Sequence, residues 1–219
     1  MTEPLLAARA LTACYGVRTV FEDVSFTVAE GQSLGILGRA GAGKSTLLRM
    51  LVGLRRPAVG EVRIGGRRAV DGLRFTPTAY FAGDATLPGS ARATSWGRLG
   101  TGGIVLPDRR PVRALSRGTR QLLGLRTVLG RQPLRLIVLD EPWEGLDEDS
   151  RRWLHATLEL KRDRGAAVVV SSQRVTDLTG LCDAYVILDE GRARSLRALD
   201  LSSSGVPTPE ALAAAIHTP

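Results

Sequence analysis

The chain has 219 residues, 43 % hydrophobic and 24 % charged, with a formal charge of +8 and a mean hydropathy of +0.01, globular proportions for one or two domains. No apolar run approaches the roughly 20 residues that span a bilayer, MTEPLLAARA lacks the order of a secretory signal, and two cysteines with two histidines make no metal-ligand spacing. Of the 30 basic residues only Lys44 and Lys161 are lysines, and the arginines are scattered, which reads as a solvated surface under compositional bias rather than a nucleic-acid footprint.

In chain order, Val24, Phe26 and Val28 alternate as on a strand, and Val62 with Ile64 repeats the pattern after a turn at Pro57-Ala58-Val59-Gly60. Between them Leu34-Gly35-Ile36-Leu37 is a short apolar run, as expected of a buried parallel strand. It leads into a glycine loop and a helix carrying Leu47, Leu48, Leu51 and Leu54. Tyr80-Phe81-Ala82 is a further strand, and the Gly- and Pro-rich stretch 84–114 leaves little room for a long helix. Leu122, Leu125 and Leu129 mark a helical stripe, followed by a buried strand over 136–139 and a helix over 148–164. A strand over 166–171, a short helix and a strand over 184–188 come next, ending in a turn at Asp189-Glu190-Gly191. Strands alternating with helices predict an α/β fold built on a parallel sheet. Residues 202–209 read as a linker to a short Ala-rich helix.

Three motifs carry chemistry. Gly38-Arg39-Ala40-Gly41-Ala42-Gly43-Lys44-Ser45, with Thr46 behind it, fits G-x-x-x-x-G-K-[ST] between a strand and a helix. Its glycines let backbone N–H groups and a helix N-terminus face a polyphosphate. Lys44 then meets the β- and γ-phosphates, and the Ser45 hydroxyl reaches Mg²⁺. Leu136-Ile137-Val138-Leu139 delivers Asp140 to the C-terminal end of a strand, where it can hold Mg²⁺ through water. The adjacent Glu141, on the opposite side of the strand, can polarise an attacking water. Leu115-Ser116-Arg117-Gly118-Thr119 offers a hydroxyl and free N–H groups at a helix start; by itself it is also a plain N-cap.

Taken together, these motifs in this order resemble the nucleotide-binding cassette of ABC transporters over residues 4–195. The resemblance implies a P-loop fold with a mainly parallel, RecA-like core sheet, an N-terminal antiparallel β subdomain and a short helical subdomain. The ATPase domain would occupy 1–201, with its reduced helical part at about 84–131, leaving 202–219 as linker and terminal helix. It implies that Tyr15, 23 residues before Gly38, stacks on adenine, although a lone tyrosine is otherwise core packing. It implies that Ser116 and Gly118 contact the γ-phosphate of ATP held by a second subunit, that Asp147 lies at that interface, and that Glu141 is the general base. The expected protein is an ATP- and Mg²⁺-binding ATPase, a homodimer or heterodimer of cassettes beneath an integral membrane permease on the inner face of the cell membrane. The LSRG-type signature is similar to that of exporters.

Three features depart from the family pattern. Gly83, followed by Asp84, stands where the family has a glutamine, and Gln173 stands where it has a histidine. An amide still donates to a γ-phosphate but lacks imidazole's charge, and one lost donor can slow a reaction by roughly 10²–10³. The segment between Gly83 and Leu115 is also short for a helical subdomain. These departures keep a second reading open, a nucleotide-gated regulatory cassette with weak or no turnover.

Overall fold

The computed structural model describes residues 4–82, 111–131, 133–189, 191–197 and 208–217. The expectations that fall on 83–110, including Gly83, Asp84 and most of the helical subdomain, lie outside the described residues, as does the linker up to 207.

Two sheets organise the chain. The first has the order β2-β1-β4-β5, from β1 (Leu6–Tyr15), β2 (Arg18–Val28), β4 (Val59–Ile64) and β5 (Arg67–Arg68), all antiparallel. The second has the order β10-β9-β3-β8-β7-β6. Its strands β3 (Ser33–Leu37), β6 (Thr78–Ala82), β7 (Leu136–Asp140), β8 (Ala167–Ser172) and β9 (Ala184–Asp189) run parallel, and β10 (Arg192–Arg197) closes one edge antiparallel. The sheets are joined where the Glu22 N–H donates to the Gly191 carbonyl at 3.2 Å.

The central parallel strands β3, β7 and β8 are largely apolar and wholly buried because both faces are covered. Alternate residues Leu34, Ile36, Val138, Val169 and Val186 face one core cluster, shared with β1, β2 and helix α1 (Lys44–Leu51). Their neighbours Leu37, Ile137, Leu139, Val168, Val170 and Ile187 face a second cluster. That second face is covered by α3 (Arg117–Leu129), α4 (Glu148–Asp163), the short α5 (Val175–Leu178) and α6 (Pro209–His217). The terminal helix docks through Leu212, which is fully buried. A single turn, α2 (Ala69–Gly72), follows β5.

Two local expectations are corrected, and one strand has no counterpart in the sequence pattern. The proposed turn at 57–60 is shorter, since β4 already begins at Val59. Helix α1 ends at Leu51, so Leu54 lies beyond it and is 66 % exposed rather than part of its apolar stripe. Strand β10 went unread because Arg192-Ala193-Arg194-Ser195-Leu196-Arg197 carries almost no apolar alternation; the turn at Gly191 (φ +84°) sends it back along β9.

This packing makes Leu48→Ala destabilising by about 2–5 kcal/mol, because it empties a fully buried position, whereas Leu54→Ala stays within about 0.5 kcal/mol of the parent. Urea denaturation of the two variants checks the contrast.

Candidate functional site

At the C-terminal end of β3 the chain turns through Gly38–Gly43 into α1. Gly41 and Gly43 have φ of +81° and +102°, which favours glycine, and a Cβ on Gly43 would come within 2.7 Å of Val20 Cγ1. A Cβ on Gly38 would meet the Leu188 carbonyl at 2.6 Å. Because the loop is stripped to backbone, no side chain caps the start of α1, and no acidic residue sits in its first turn. The helix thus presents its orphan N–H groups and positive dipole end to the loop, the geometry that holds an anion.

Lys44 opens that helix and is only 6 % exposed. Its ammonium donates to the carbonyls of Gly38 (2.7 Å) and Arg39 (3.1 Å) and lies 3.1 Å from Glu141 Oε1.

The carboxylate arrives there by a backbone turn. Asp140 is the last residue of β7 and is buried; Glu141 follows in the left-handed region at φ +47°. Such a conformation costs a non-glycine residue about 1–3 kcal/mol and persists where its surroundings fix it. Ser171 on β8 fixes it from below, its hydroxyl donating to Asp140 Oδ1 (2.7 Å) and accepting the Glu141 N–H (3.0 Å). Gln121 on α3 fixes it from above, donating to the carbonyls of Glu141 (3.1 Å) and Pro142 (3.3 Å). The turn aims Glu141 into the loop, where Oε1 meets Lys44 and Oε2 accepts the Gln173 N–H at 3.2 Å. Gln173 is therefore present where the sequence places it, and its observed contact comes from the backbone rather than from its amide.

These groups open on a cleft of about 1030 Å³ lined by residues 39–46, Glu141 and Gln173, and at its other end by Tyr15, Arg18, Thr19, Val20, Asp189 and Gly191. Tyr15 is 51 % exposed, which settles against core packing. Its hydroxyl lies 3.2 Å from Thr46 Oγ1, and the Arg55 guanidinium covers one ring face. The Thr46 hydrogen bond, aided by the nearby Arg55 and Arg49 charges and opposed by desolvation, draws the phenol below its ordinary range. Arg18, Thr19, Val20, Asp189 and Arg55 were missed in the sequence. The first three open β2, just after Tyr15 and the two-residue turn, and that adjacency was the only signal available.

Ser116, Gly118 and Asp147 do not line this cleft. Ser116 caps α3, accepting the Thr119 N–H at 3.1 Å, so the N-cap reading is realised. Asp147 caps α4 through the Ser150 N–H at 2.8 Å, and the Ser150 hydrogen bonds hold its carboxyl below the usual range. The start of α3 meets the turn before α4 at Gly118, where a Cβ would fall 2.2 Å from the Gly145 carbonyl. Arg151 ties this turn to the segment after Gln173, pairing with Asp177 (2.7 Å) and donating to the Trp143 carbonyl (3.1 Å).

The residues fit a magnesium nucleoside triphosphate: a glycine cradle, a buried ammonium and the hard oxygen donors of Ser45 and Asp140. Fold and loop together define a P-loop nucleoside-triphosphate-binding protein. A family model described as ABC transporter matches residues 21–82. The uncharacterized ABC transporter ATP-binding protein YhcH of Bacillus subtilis is 34 % identical over 199 residues, covering 80 % of this chain and 64 % of YhcH. The aliphatic sulfonates import ATP-binding protein SsuB 2 of Pseudomonas aeruginosa is 32 % identical over 200 residues (85 % and 72 %). The Nod factor export ATP-binding protein I of Ralstonia nicotianae is 31 % identical over 211 residues (86 % and 65 %). A solved ATP-binding subunit of an ABC transporter superposes with a TM-score of 0.80 at 25 % identity, over 96 % of this chain and 98 % of that one. The chain belongs to the ATP-binding proteins of ABC transporters, a family whose cassettes hydrolyse ATP. The matched region spans less than two thirds of YhcH, and the named relatives include one importer and one exporter.

Two measurements check this geometry. Among the three tyrosines Tyr15 ionises first on raising pH, because its phenol is drawn down while burial pushes Tyr80 and Tyr185 up. Tyr15→Phe therefore removes the earliest step of a phenolate absorbance titration, and survival of that step contradicts the site. Gly118→Ala forces Gly118 and Gly145 apart and lowers stability to urea by about 1–3 kcal/mol.

Proposed function

We propose that this chain is the ATP-hydrolysing subunit of an ABC transporter, pairing head to tail with a second cassette and driving a separate integral membrane permease from the cytoplasmic face. Among the described residues no helix is long and apolar enough to cross a membrane, so in this reading the permease supplies the path. The LSRG-type signature favours export. The observation that carries the proposal is the meeting of Lys44 and Glu141 at 3.1 Å beside a helix start that no side chain caps.

In this reading the triphosphate takes over from Glu141 as the counter-charge of Lys44. The released carboxylate, still aimed by Ser171 and Gln121, is left to accept a proton from an attacking water. Loop N–H groups hold the phosphates, and Gln173 sits at the cleft beside Glu141. Ser45 and Asp140 would hold Mg²⁺, which would supply charge neutralisation beside the phosphates. Ser116, Gly118 and Asp147 do not line the chain's own cleft, and in this reading they close the cleft of a second cassette. The ATPase domain of this reading is 1–201, with a reduced helical subdomain at about 84–131.

A nucleotide-gated regulatory cassette is the second reading, favoured by the amide side chain of Gln173 in place of a titratable one. Glu141→Gln separates the two. A transporter ATPase retains Mg-ATP binding in this variant, loses turnover by at least about 10²-fold and accumulates as an ATP-bound dimer. Steady-state ATPase assays and light scattering with ATP read both. A parent protein that binds ATP tightly without turnover supports the regulatory reading, and a variant that stays monomeric in ATP overturns the sandwich.

A further inference from the structure

Arg55 stands beside the cleft, against Tyr15, and neither the phosphate loop nor the acids account for it. Its guanidinium carbon lies 3.8 Å from the centroid of the Tyr15 ring, well inside the roughly 6 Å of a cation–π contact. Its Nη2 donates to the carbonyl of Cys14, the residue before Tyr15, at 2.6 Å. The cation is thus fastened to the end of β1 while it covers one ring face. The other restraint on the ring is the 3.2 Å contact between its hydroxyl and Thr46 Oγ1. Thr46 belongs to the first turn of α1, and Arg55 closes the turn behind the same helix, its N–H bonded to the Arg49 carbonyl at 3.2 Å. Helix α1 and the turn that follows it therefore carry both the phosphate-facing amides and the two clamps on the ring. Tyr15 still lines the cleft and is 51 % exposed, so the face that Arg55 does not cover is the one left for a ligand.

We infer that Arg55 is a positioning residue for the nucleobase: guanidinium, Tyr15 ring and base stack in three layers, with Arg55 holding the middle layer in place. The inference rests on the nucleotide reading above. A half-exposed tyrosine free to change rotamer loses that freedom when a base settles on it, and a ring already clamped does not. The phosphate end gains nothing from the clamp, so Arg55 acts on ligands that carry a base and not on bare polyphosphate.

The experiment measures the affinity of the full chain for Mg-ATP and for Mg-tripolyphosphate by calorimetry, in the parent, Arg55→Gln and Arg55→Lys. The expected result is a roughly three- to tenfold weaker ATP affinity in Arg55→Gln, with tripolyphosphate affinity and melting temperature unchanged, and partial recovery in Arg55→Lys. If Arg55→Gln does not fold, Arg55→Lys carries the same comparison, because it retains charge but loses the planar contact. Unchanged ATP affinity overturns the inference, and so does an equal loss for both ligands, which places Arg55 in the phosphate loop or the fold. A parent that binds the two ligands equally removes the base platform and leaves the phosphate site standing. A parent that binds neither overturns the nucleotide reading itself.

Discussion

Lys44 is a cation held almost out of water, and the rest of the site is arranged around that constraint. Its exposure is 6 %, and its partners are two loop carbonyls and one carboxylate. A buried ammonium is tolerated only with counter-charge and hydrogen bonds. Glu141 provides the charge at the expense of a left-handed backbone, which Ser171 and Gln121 stabilise. In the proposed function a polyphosphate in the loop becomes the partner of Lys44, and the Glu141 carboxylate is left to handle a water proton.

The parallel sheet makes that encounter possible. Its register sets Leu37 opposite Ser172 and Ala82 opposite Asp140, so the C-terminal ends of β3, β8, β6 and β7 come out at one edge. The glycine loop follows Leu37, Glu141 follows Asp140 and Gln173 follows Ser172. A loop and two residues separated widely in sequence thus share one cleft because their strands end together, as ligand sites in open α/β sheets generally do. The apolar alternation that buries both faces of these strands is therefore also what aligns the chemistry.

The strands and the phosphate loop were legible because their signals are local. A four-residue apolar run, a glycine spacing and a carboxylate at a strand end each state their own structure. Signals that depend on partners were not legible. Strand β10 exists because β9 offers an edge, and its own sequence carries three arginines in six residues. Leu54 has the spacing of a helix stripe, yet α1 stops at Leu51 as the chain turns at Gly53 (φ +65°). Sequence placed Glu141 and Gln173 in the site but could not show that the Gln173 backbone orients the Glu141 carboxylate. That contact depends on the positive φ of Glu141, which glutamic acid seldom adopts and no pattern announces. Arg55 was hidden for a similar reason: 40 residues separate it from Tyr15, and only the pairing of β1 with the turn after α1 brings them together.

The most direct test of the account is a crystal structure of the protein grown with Mg²⁺ and a non-hydrolysable ATP analogue. The account predicts phosphate oxygens on the N–H groups of the loop, Lys44 Nζ on the β- and γ-phosphates, and the Glu141 carboxylate released from the lysine but still aimed into the cleft. A loop without nucleotide and an intact Lys44–Glu141 pair at saturating analogue would contradict it.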